Sequence, residues 1–335
     1  MVIGPSDISK DSYDLIIVDE AHRLRQRRNL VGYKAFDDGI KRANLNPINN
    51  DELDLIQTWC NKSILFYDPL QSIKPSDVES SKFNGLMALS STRTEKLVSQ
   101  FRVKGGNQYV KLVHNIFNTV TAVKASRFGN YEFRLFDNLS EMVEQIKKKN
   151  QLMGLSRMVA GFAWEWISNK NPQAYDIVIG DTKLKWNSTA VDWVNSKNAI
   201  NEVGCIHTTQ GYDLNYTGII IGPELDYDFE KNEFVVNKEA YKDKNGKNSI
   251  KDDKVLLAYI LNIYKTIFLR GIEGTYIYVC NPNLRKYFAE FLPIYAESKK
   301  FTGSIEFLIT PSDSTIPYYD ISVAAGSFSD YQSVD

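Results

Sequence analysis

Two neighbouring carboxylates, Asp19 and Glu20, are the residues whose types and spacing most directly suggest chemistry. They follow the apolar residues 15–18, which predict a strand buried on both faces, as in a parallel sheet. Open α/β sheets bind their ligands beyond the carboxyl ends of such strands. In a nucleotide-hydrolysing enzyme, one acid of such a pair holds Mg²⁺ and the other activates the attacking water. The alternative is an ordinary strand that runs into a solvated helix cap.

The segment around this pair, Leu-Ile-Ile-Val-Asp-Glu-Ala-His at residues 15–22, resembles the Walker B segment (motif II) of superfamily 1 and 2 helicases. The resemblance implies that Asp19 and Glu20 bind metal and that Glu20 is catalytic. A second buried strand is predicted over residues 63–68, and with Gln71 it resembles motif III. The resemblance implies that Gln71 contacts and senses the γ-phosphate, which suits an amide because it both donates and accepts hydrogen bonds.

Two arginines occupy positions that resemble later helicase motifs. Residues 97–102 resemble motif IV, which implies that Arg102 reaches across a cleft to the γ-phosphate. A helix is predicted over residues 256–269, and Arg270 at its end resembles the motif VI arginine that faces the same phosphate. The family usually has Thr where Leu269 stands here. A guanidinium suits both roles because its planar donors match phosphate oxygens and stabilise transition-state charge.

Residues 203–222 predict a strand, a turn with a short helix, and another strand, and they resemble motif V of superfamily 1. The resemblance implies that the turn contacts the nucleic-acid backbone, that its glycine allows close approach to phosphate, and that its acid steadies the loop. The residues concerned are Thr208, Thr209, Gln210, Gly211 and Asp213. We interpret the adjacent His207 as a packed or hydrogen-bonded histidine rather than a ligand.

Motifs II to VI occur in order over residues 13–292, and the chain is similar to bacterial superfamily 1 helicases related to the Schlafen helicase domain. The resemblance implies an α/β fold of RecA-like P-loop NTPase domains with parallel sheets. The later part of the first domain would occupy residues 1–95, the second domain 96–300, and a linker 301–335. ATP and Mg²⁺ would lie between the two domains, and DNA or RNA would be the partner.

The phosphate-binding Walker A loop is missing, because Gly-x-x-x-x-Gly-Lys-Ser/Thr occurs nowhere in the 335 residues. That loop supplies the backbone N–H groups, the lysine and the hydroxyl that hold the phosphates and Mg²⁺. In the family it precedes motif II, so the resemblance implies a helicase core with an incomplete first domain and little or no ATP hydrolysis. An open sheet edge there would invite a protein partner. The alternative is a non-catalytic nucleic-acid or protein-binding remnant.

Two shorter patterns suggest other chemistry. Asp176, a strand, and then Asp181-Thr-Lys183 resemble the pattern of metal-dependent nucleases, but an ordinary strand and turn is the alternative. Residues 316–326 resemble the self-cleavage segment at the head of LexA-like S24 peptidases, and the alternative is a disordered small-residue tail.

The overall composition limits the classes of partner. The net charge is −1, so a nucleic-acid surface must be a local patch rather than a global property. The arginines in residues 23–28 are the densest basic cluster, which we interpret as a solvated helix face rather than a phosphate-binding patch. Three widely spaced cysteines, no membrane-length apolar run and no signal-peptide pattern predict a cytoplasmic protein without a membrane partner.

Overall fold

The computed structural model describes residues 2–8, 12–30, 32–72, 74–97, 102–120, 128–209, 211–243, 250 and 252–296. The strands in these ranges are β1 (Tyr13–Val18), β2 (Cys60–Leu65), β3 (Glu132–Phe136), β4 (Ser156–Ala160), β5 (Ile177–Ile179), β6 (Thr182–Trp186), β7 (Glu202–Gly204), β8 (Leu214–Ile221), β9 (Leu225–Asp228), β10 (Glu233–Val236) and β11 (Gly271–Val279). The helices are α1 (Tyr33–Arg42), α2 (Glu52–Trp59), α3 (Ser80–Met87), α4 (Gly106–Phe117), α5 (Leu139–Met153), α6 (Ile206–Thr209), α7 (Asp253–Phe268) and α8 (Pro282–Ala289). Within the described ranges, no helix combines the length and the apolar character needed to cross a membrane.

A seven-stranded sheet forms the centre of the fold, in the order β3-β11-β8-β4-β7-β6-β5. All neighbouring strands run parallel except β5 and β6, which form an antiparallel hairpin. In the middle of the sheet, Gly218 of β8 lies between Met158 of β4 and Tyr276 of β11. This mixed α/β architecture confirms the predicted fold class and is compatible with a RecA-like fold.

Both faces of this sheet are covered, which explains the long apolar runs in its central strands. On β8, Ile219 and Ile221 belong to one core cluster, whereas Tyr216 and Ile220 belong to another on the opposite face. The first cluster contains the buried faces of α4, α7 and α8, and the second contains that of α5. The alternation of side chains along a strand therefore produces a three-layer arrangement of helix, sheet and helix.

A separate two-stranded parallel sheet, β1 with β2, carries the acidic pair. Ile16 and Val18 pack against the cluster that contains Phe83, but the opposite face is open. Its side chains keep large exposed fractions: Leu15 46%, Ile17 61%, Ile64 46% and Phe66 50%. The prediction that β1 is buried on both faces is therefore wrong, because among the described residues only one layer covers this sheet. The expected protein partner at its edge stays a prediction.

Most predicted elements are present, with one further difference near the amino terminus. The second strand begins at Cys60 and ends at Leu65, three residues earlier than predicted, and most of it is exposed. Residues 33–42 form helix α1, because Phe36 and Ile40 bury against the cluster that contains Leu55. The division of the chain near residue 95 stays a prediction, and the tail from residue 297 lies outside the described residues.

One carboxyl group, Glu224, is fully buried beyond the end of β8. Tyr264 on α7 donates a hydrogen bond to its Oε1, and Oε2 has no hydrogen-bond partner among the described residues. Burial raises the pKa of Glu224 from 4.5 to about 7, since little around it stabilises the charged form. Glu224 therefore binds a proton more tightly in the folded protein than in the unfolded chain.

We expect Glu224 to make the folded protein less stable as the pH rises. Below pH 4.5 the proton is bound in both states, whereas between about pH 4.5 and 7 only the native state holds it. From pH 5 to pH 8 this residue alone should lower the free energy of unfolding by about 2.5 kcal/mol. The Glu224→Gln variant should lack this contribution. Urea unfolding of both proteins at the two pH values measures the difference, and equal pH dependence would contradict the prediction.

Candidate active site

Asp19 and Glu20 lie directly after β1, at the carboxyl end of the strand, and both are exposed. Glu20 adopts a left-handed backbone conformation with φ 55° and ψ 44°, which is uncommon for a residue with a side chain. Its N–H donates to Asp19 Oδ1 at 3.0 Å. The turn therefore presents two carboxylates side by side, in a backbone geometry of the kind that clusters at functional sites.

His22, two residues further on, connects this pair to the end of β2. Its Nδ1 accepts a hydrogen bond from the Asp68 N–H at 3.4 Å, so the ring proton resides on Nε2. Nε2 lies 3.0 Å from Glu20 Oε2, although the angle is not that of a hydrogen bond. Burial lowers the pKa of His22 below 6.5, although Glu20 and Asp68 oppose the shift. The imidazole beside Glu20 is therefore neutral at pH 7.

Gln71 extends this line of contacts, because its Nε2 donates to Asp68 Oδ2 at 2.9 Å. Glu20, His22, Asp68 and Gln71 thus form a continuous series between the carboxyl ends of β1 and β2. Glu20 and Gln71 are recognisable from their motifs in the sequence, whereas the contact of His22 with Asp68 is not. The position of His22 two residues after the acid was the available signal, and only the fold showed that Asp68 is its neighbour.

Arg102 and Asp213 form an ion pair, with Arg102 Nε 2.7 Å from Asp213 Oδ1. Both side chains are about half exposed, at 45% and 48%. Gly211, at the start of the same turn, has φ +83°, and a Cβ there would meet nothing within 4 Å. The positive φ therefore explains why glycine occupies this position, since a side chain would meet no neighbouring atom there. Asp213 steadies this region through Arg102.

Arg270 lies between the end of α7 and the start of β11, and it is only 3% exposed. Its guanidinium forms no hydrogen bond or ion pair with another described residue. Burial, followed by repulsion from Arg102, lowers the pKa of Arg270 to about 10, so it remains a cation at neutral pH. A buried and unpaired guanidinium is costly unless an anion binds to it.

A cavity of about 90 Å³ brings these residues together. This is roughly three times the ~30 Å³ share of a water molecule in the liquid, so it suits a small anion rather than a whole nucleotide. Its walls contain three cations and one carboxylate. The lining residues are Asp68, Gln71, Arg102, Lys265, Thr266, Leu269 and Arg270. Three residues predicted from separate motifs, Gln71, Arg102 and Arg270, therefore face one positively charged space.

The two threonines of the motif V turn were expected to contact nucleic acid, but the structure places them inside the turn. Thr208 is 5% exposed and Thr209 is fully buried. Both hydroxyls donate to the carbonyl of Cys205, at 3.1 and 3.0 Å. In this arrangement they hold the turn from inside and do not reach its surface. Gln210 lies outside the described residues.

The arginine cluster at residues 23–28 is largely compensated by carboxylates. Arg25 Nε donates to Glu52 Oε1 at 2.9 Å, and Arg27 Nε donates to Asp37 Oδ1 at 2.8 Å. The segment forms a short 3-10 turn and an extended stretch, so the predicted helix face is wrong. These pairings also make a phosphate-binding patch here unfavourable, because its charge is already neutralised.

The nuclease-like pattern forms an ordinary hairpin. Asp176 is buried and accepts hydrogen bonds from the Ser168 N–H at 2.7 Å and from the Trp186 N–H at 2.7 Å. Asp181 is exposed at the turn between β5 and β6. In the described parts of the chain, no three His, Cys, Asp or Glu residues group as a metal site. This geometry favours the strand-and-turn interpretation.

In nucleotide enzymes, Mg²⁺ keeps several waters and uses one or two carboxylates together with substrate phosphates. Asp19 and Glu20 supply two adjacent exposed carboxylates, and the charge of Glu20 acts on Arg270 in the wall of the cationic cavity by opposing the lowering of its pKa. The residues present therefore fit a nucleotide-bound Mg²⁺.

Residues 2–281 match the family described as Schlafen group 3, DNA/RNA helicase domain, and the chain belongs to this family. It is also similar to an uncharacterised protein of Saccharomyces cerevisiae, YPL245W, with 25% identity over 304 residues. The alignment covers 82% of this chain, and the chain spans 64% of the length of that relative. The predicted relationship to Schlafen helicases is confirmed. The bacterial source stays a prediction.

Proposed function

We propose that this chain carries part of the ATP site of a superfamily 1 helicase or translocase that acts on DNA or RNA. This part contains the carboxylate that activates the attacking water and the arginines that bind the terminal phosphate. One observation carries the proposal: Gln71, Arg102 and the buried Arg270, which has no ion pair with a described residue, line one small cationic cavity. Family membership supports a nucleic-acid-related function, and the order of the motifs supports superfamily 1.

Each side chain has a distinct role in this proposal. Asp19 and Glu20 hold Mg²⁺, and Glu20 accepts the proton of the attacking water. Arg102 and Arg270 stabilise negative charge on the terminal phosphate, and Gln71 senses its presence. Bound ATP and Mg²⁺ supply the reactive phosphoanhydride and the neutralising charge.

The nucleic-acid contact is assigned to the exposed side of the motif V turn. Gly211 and His207 are exposed there, whereas Thr208 and Thr209 hold the turn from beneath. Desolvation of the imidazole by the surrounding protein, together with the nearby cations Lys74 and Arg23, lowers the pKa of His207 to about 4. Its ring is therefore neutral at pH 7 and suits stacking or hydrogen bonding rather than charge attraction.

The missing Walker A motif favours a second candidate for this chain by itself. Without that loop the phosphates lose a lysine and a set of backbone donors, so we expect little or no ATP hydrolysis. The second candidate is a non-catalytic domain that binds nucleic acid or protein and keeps the helicase fold.

ATP hydrolysis with and without single-stranded DNA or RNA tests the proposal. We compare this chain with a version extended upstream so that it carries a Walker A loop. Stimulated hydrolysis only in the extended version is the expected result. If the extended version neither binds ATPγS nor hydrolyses ATP, the ATPase proposal is wrong. Nucleic-acid binding by fluorescence anisotropy then tests the second candidate.

A further inference from the structure

Helix α7 places a second buried cation, Lys265, in the wall of the cavity beside Arg270. Lys265 is 9% exposed, and its Nζ donates to Asn118 Oδ1 at 3.3 Å. No carboxylate of a described residue lies within ion-pair distance of it. Among the described residues, the partner of this ammonium group is therefore a neutral amide.

The position of Lys265 in the helix makes its burial unusual. Its neighbours Tyr264, Ile267 and Phe268 belong to the main core cluster, so this end of α7 is packed into the protein. Lysine is almost never fully buried unless it is paired. The pKa of Lys265 is lowered by burial, which shows that its surroundings in this structure disfavour the charge. If this position served only to pack the core, an apolar side chain would fill it without the cost of burying a charge.

The charges around the cavity indicate that Lys265 needs an anion beside it. Arg102 is paired with Asp213, and the carboxylate of Asp68 receives the Gln71 amide. Arg270 and Lys265 are buried, and neither has an anionic contact with a described residue. Two desolvated cations that share one small space are repelled by each other and strongly attract a compact, multiply charged anion.

We propose that Lys265 binds the terminal phosphate of the nucleotide as a third cation beside Arg102 and Arg270. This inference rests on the proposed function and deepens it. The two guanidiniums offer planar forks, whereas an ammonium group is a compact charge with three donors that reaches a single oxygen. Asn118, at the end of α4, positions this ammonium group. The site then discriminates a nucleoside triphosphate from a diphosphate, because the third cation faces only the terminal phosphate.

Thermal unfolding in the presence of inorganic phosphate tests in this chain whether Lys265 contributes to anion binding. A ligand that binds only the folded state raises its stability, so the phosphate-dependent shift of the melting temperature reports binding. Sodium chloride at equal ionic strength is the solvent control. The variants are Lys265→Met, Lys265→Gln, which retains an amide donor for Asn118, and Lys265→Arg. Lys254→Met is the matched control, because Lys254 is exposed on the same helix.

We expect phosphate to stabilise the wild type and Lys254→Met, but not Lys265→Met or Lys265→Gln, and Lys265→Arg to regain part of the shift. If phosphate stabilises Lys265→Gln as much as the wild type, the role of Lys265 is wrong and the rest of the proposed site stands. If phosphate does not stabilise even the wild type, the anion site and the proposed function both fail. Should Lys265→Met fail to fold, Lys265→Gln and Lys265→Arg still decide the matter.

A second measurement separates phosphate binding from a structural role. In the version extended with a Walker A loop, Lys265→Gln should weaken ATPγS binding by about tenfold or more, as for a lost charge-assisted hydrogen bond, and leave ADP binding unchanged. Equal weakening for ATPγS and ADP would overturn the assignment to the terminal phosphate.

Discussion

Replacing Arg270 by methionine should lower the rate of ATP hydrolysis by about 10³-fold or more, the range found when an arginine finger is lost. The same change should leave the ligand-free protein at least as stable as the wild type. The reason is that Arg270 is 3% exposed and forms no ion pair with a described residue. Removing such a charge relieves an unfavourable desolvation, whereas most changes at a buried position destabilise.

The measurements are nucleic-acid-stimulated hydrolysis in the Walker A-extended version and the melting temperature of this chain. Arg270→Lys should recover little activity, because one ammonium group cannot replace the planar pair of donors. Arg93→Ala is the control, since Arg93 is exposed and pairs with nearby Glu95. A large loss of stability together with unchanged activity in Arg270→Met would show that this arginine is structural.

Replacing Glu20 by glutamine should lower hydrolysis by about 10²- to 10⁴-fold, the usual contribution of a general base. Binding of ATPγS should change little, because the amide has the same shape and retains an oxygen for Mg²⁺. Glu20 is 50% exposed and is held in a left-handed turn, so the substitution should not disturb the core. Rapid-quench hydrolysis and equilibrium binding of ATPγS measure the two quantities separately.

Glu239→Gln is the control for Glu20, since Glu239 is exposed in a turn outside the cavity. A His22→Phe variant tests the contact behind Glu20. It should reduce hydrolysis less than Glu20→Gln, because His22 orients the carboxylate and holds the Asp68 N–H without accepting the proton itself. An unchanged rate in Glu20→Gln would remove this residue from the catalytic set.

The amino-acid sequence by itself determined the local elements that place the site. The helix predicted over residues 256–269 occupies Asp253–Phe268, and the strand, short helix and strand predicted over residues 203–222 occupy Glu202–Gly204, Ile206–Thr209 and Leu214–Ile221. These elements follow from the period of their apolar residues, which is a local property. The motif residues Glu20 and Arg270 can also be identified from the sequence, because one lies just after a predicted strand and the other directly after a predicted helix.

Only the tertiary structure decided which of these residues meet. Gln71, Arg102 and Arg270 are far apart in sequence and share one cavity because β2, the segment before α4 and the end of α7 converge. The apolar residues 15–18 predicted two covered faces, but burial depends on the layers around a strand, and one face of β1 is open. The burial of Lys265 follows the same principle. Its residue type is a local fact, whereas its partner Asn118 and the core that packs around this end of its helix come from distant parts of the chain.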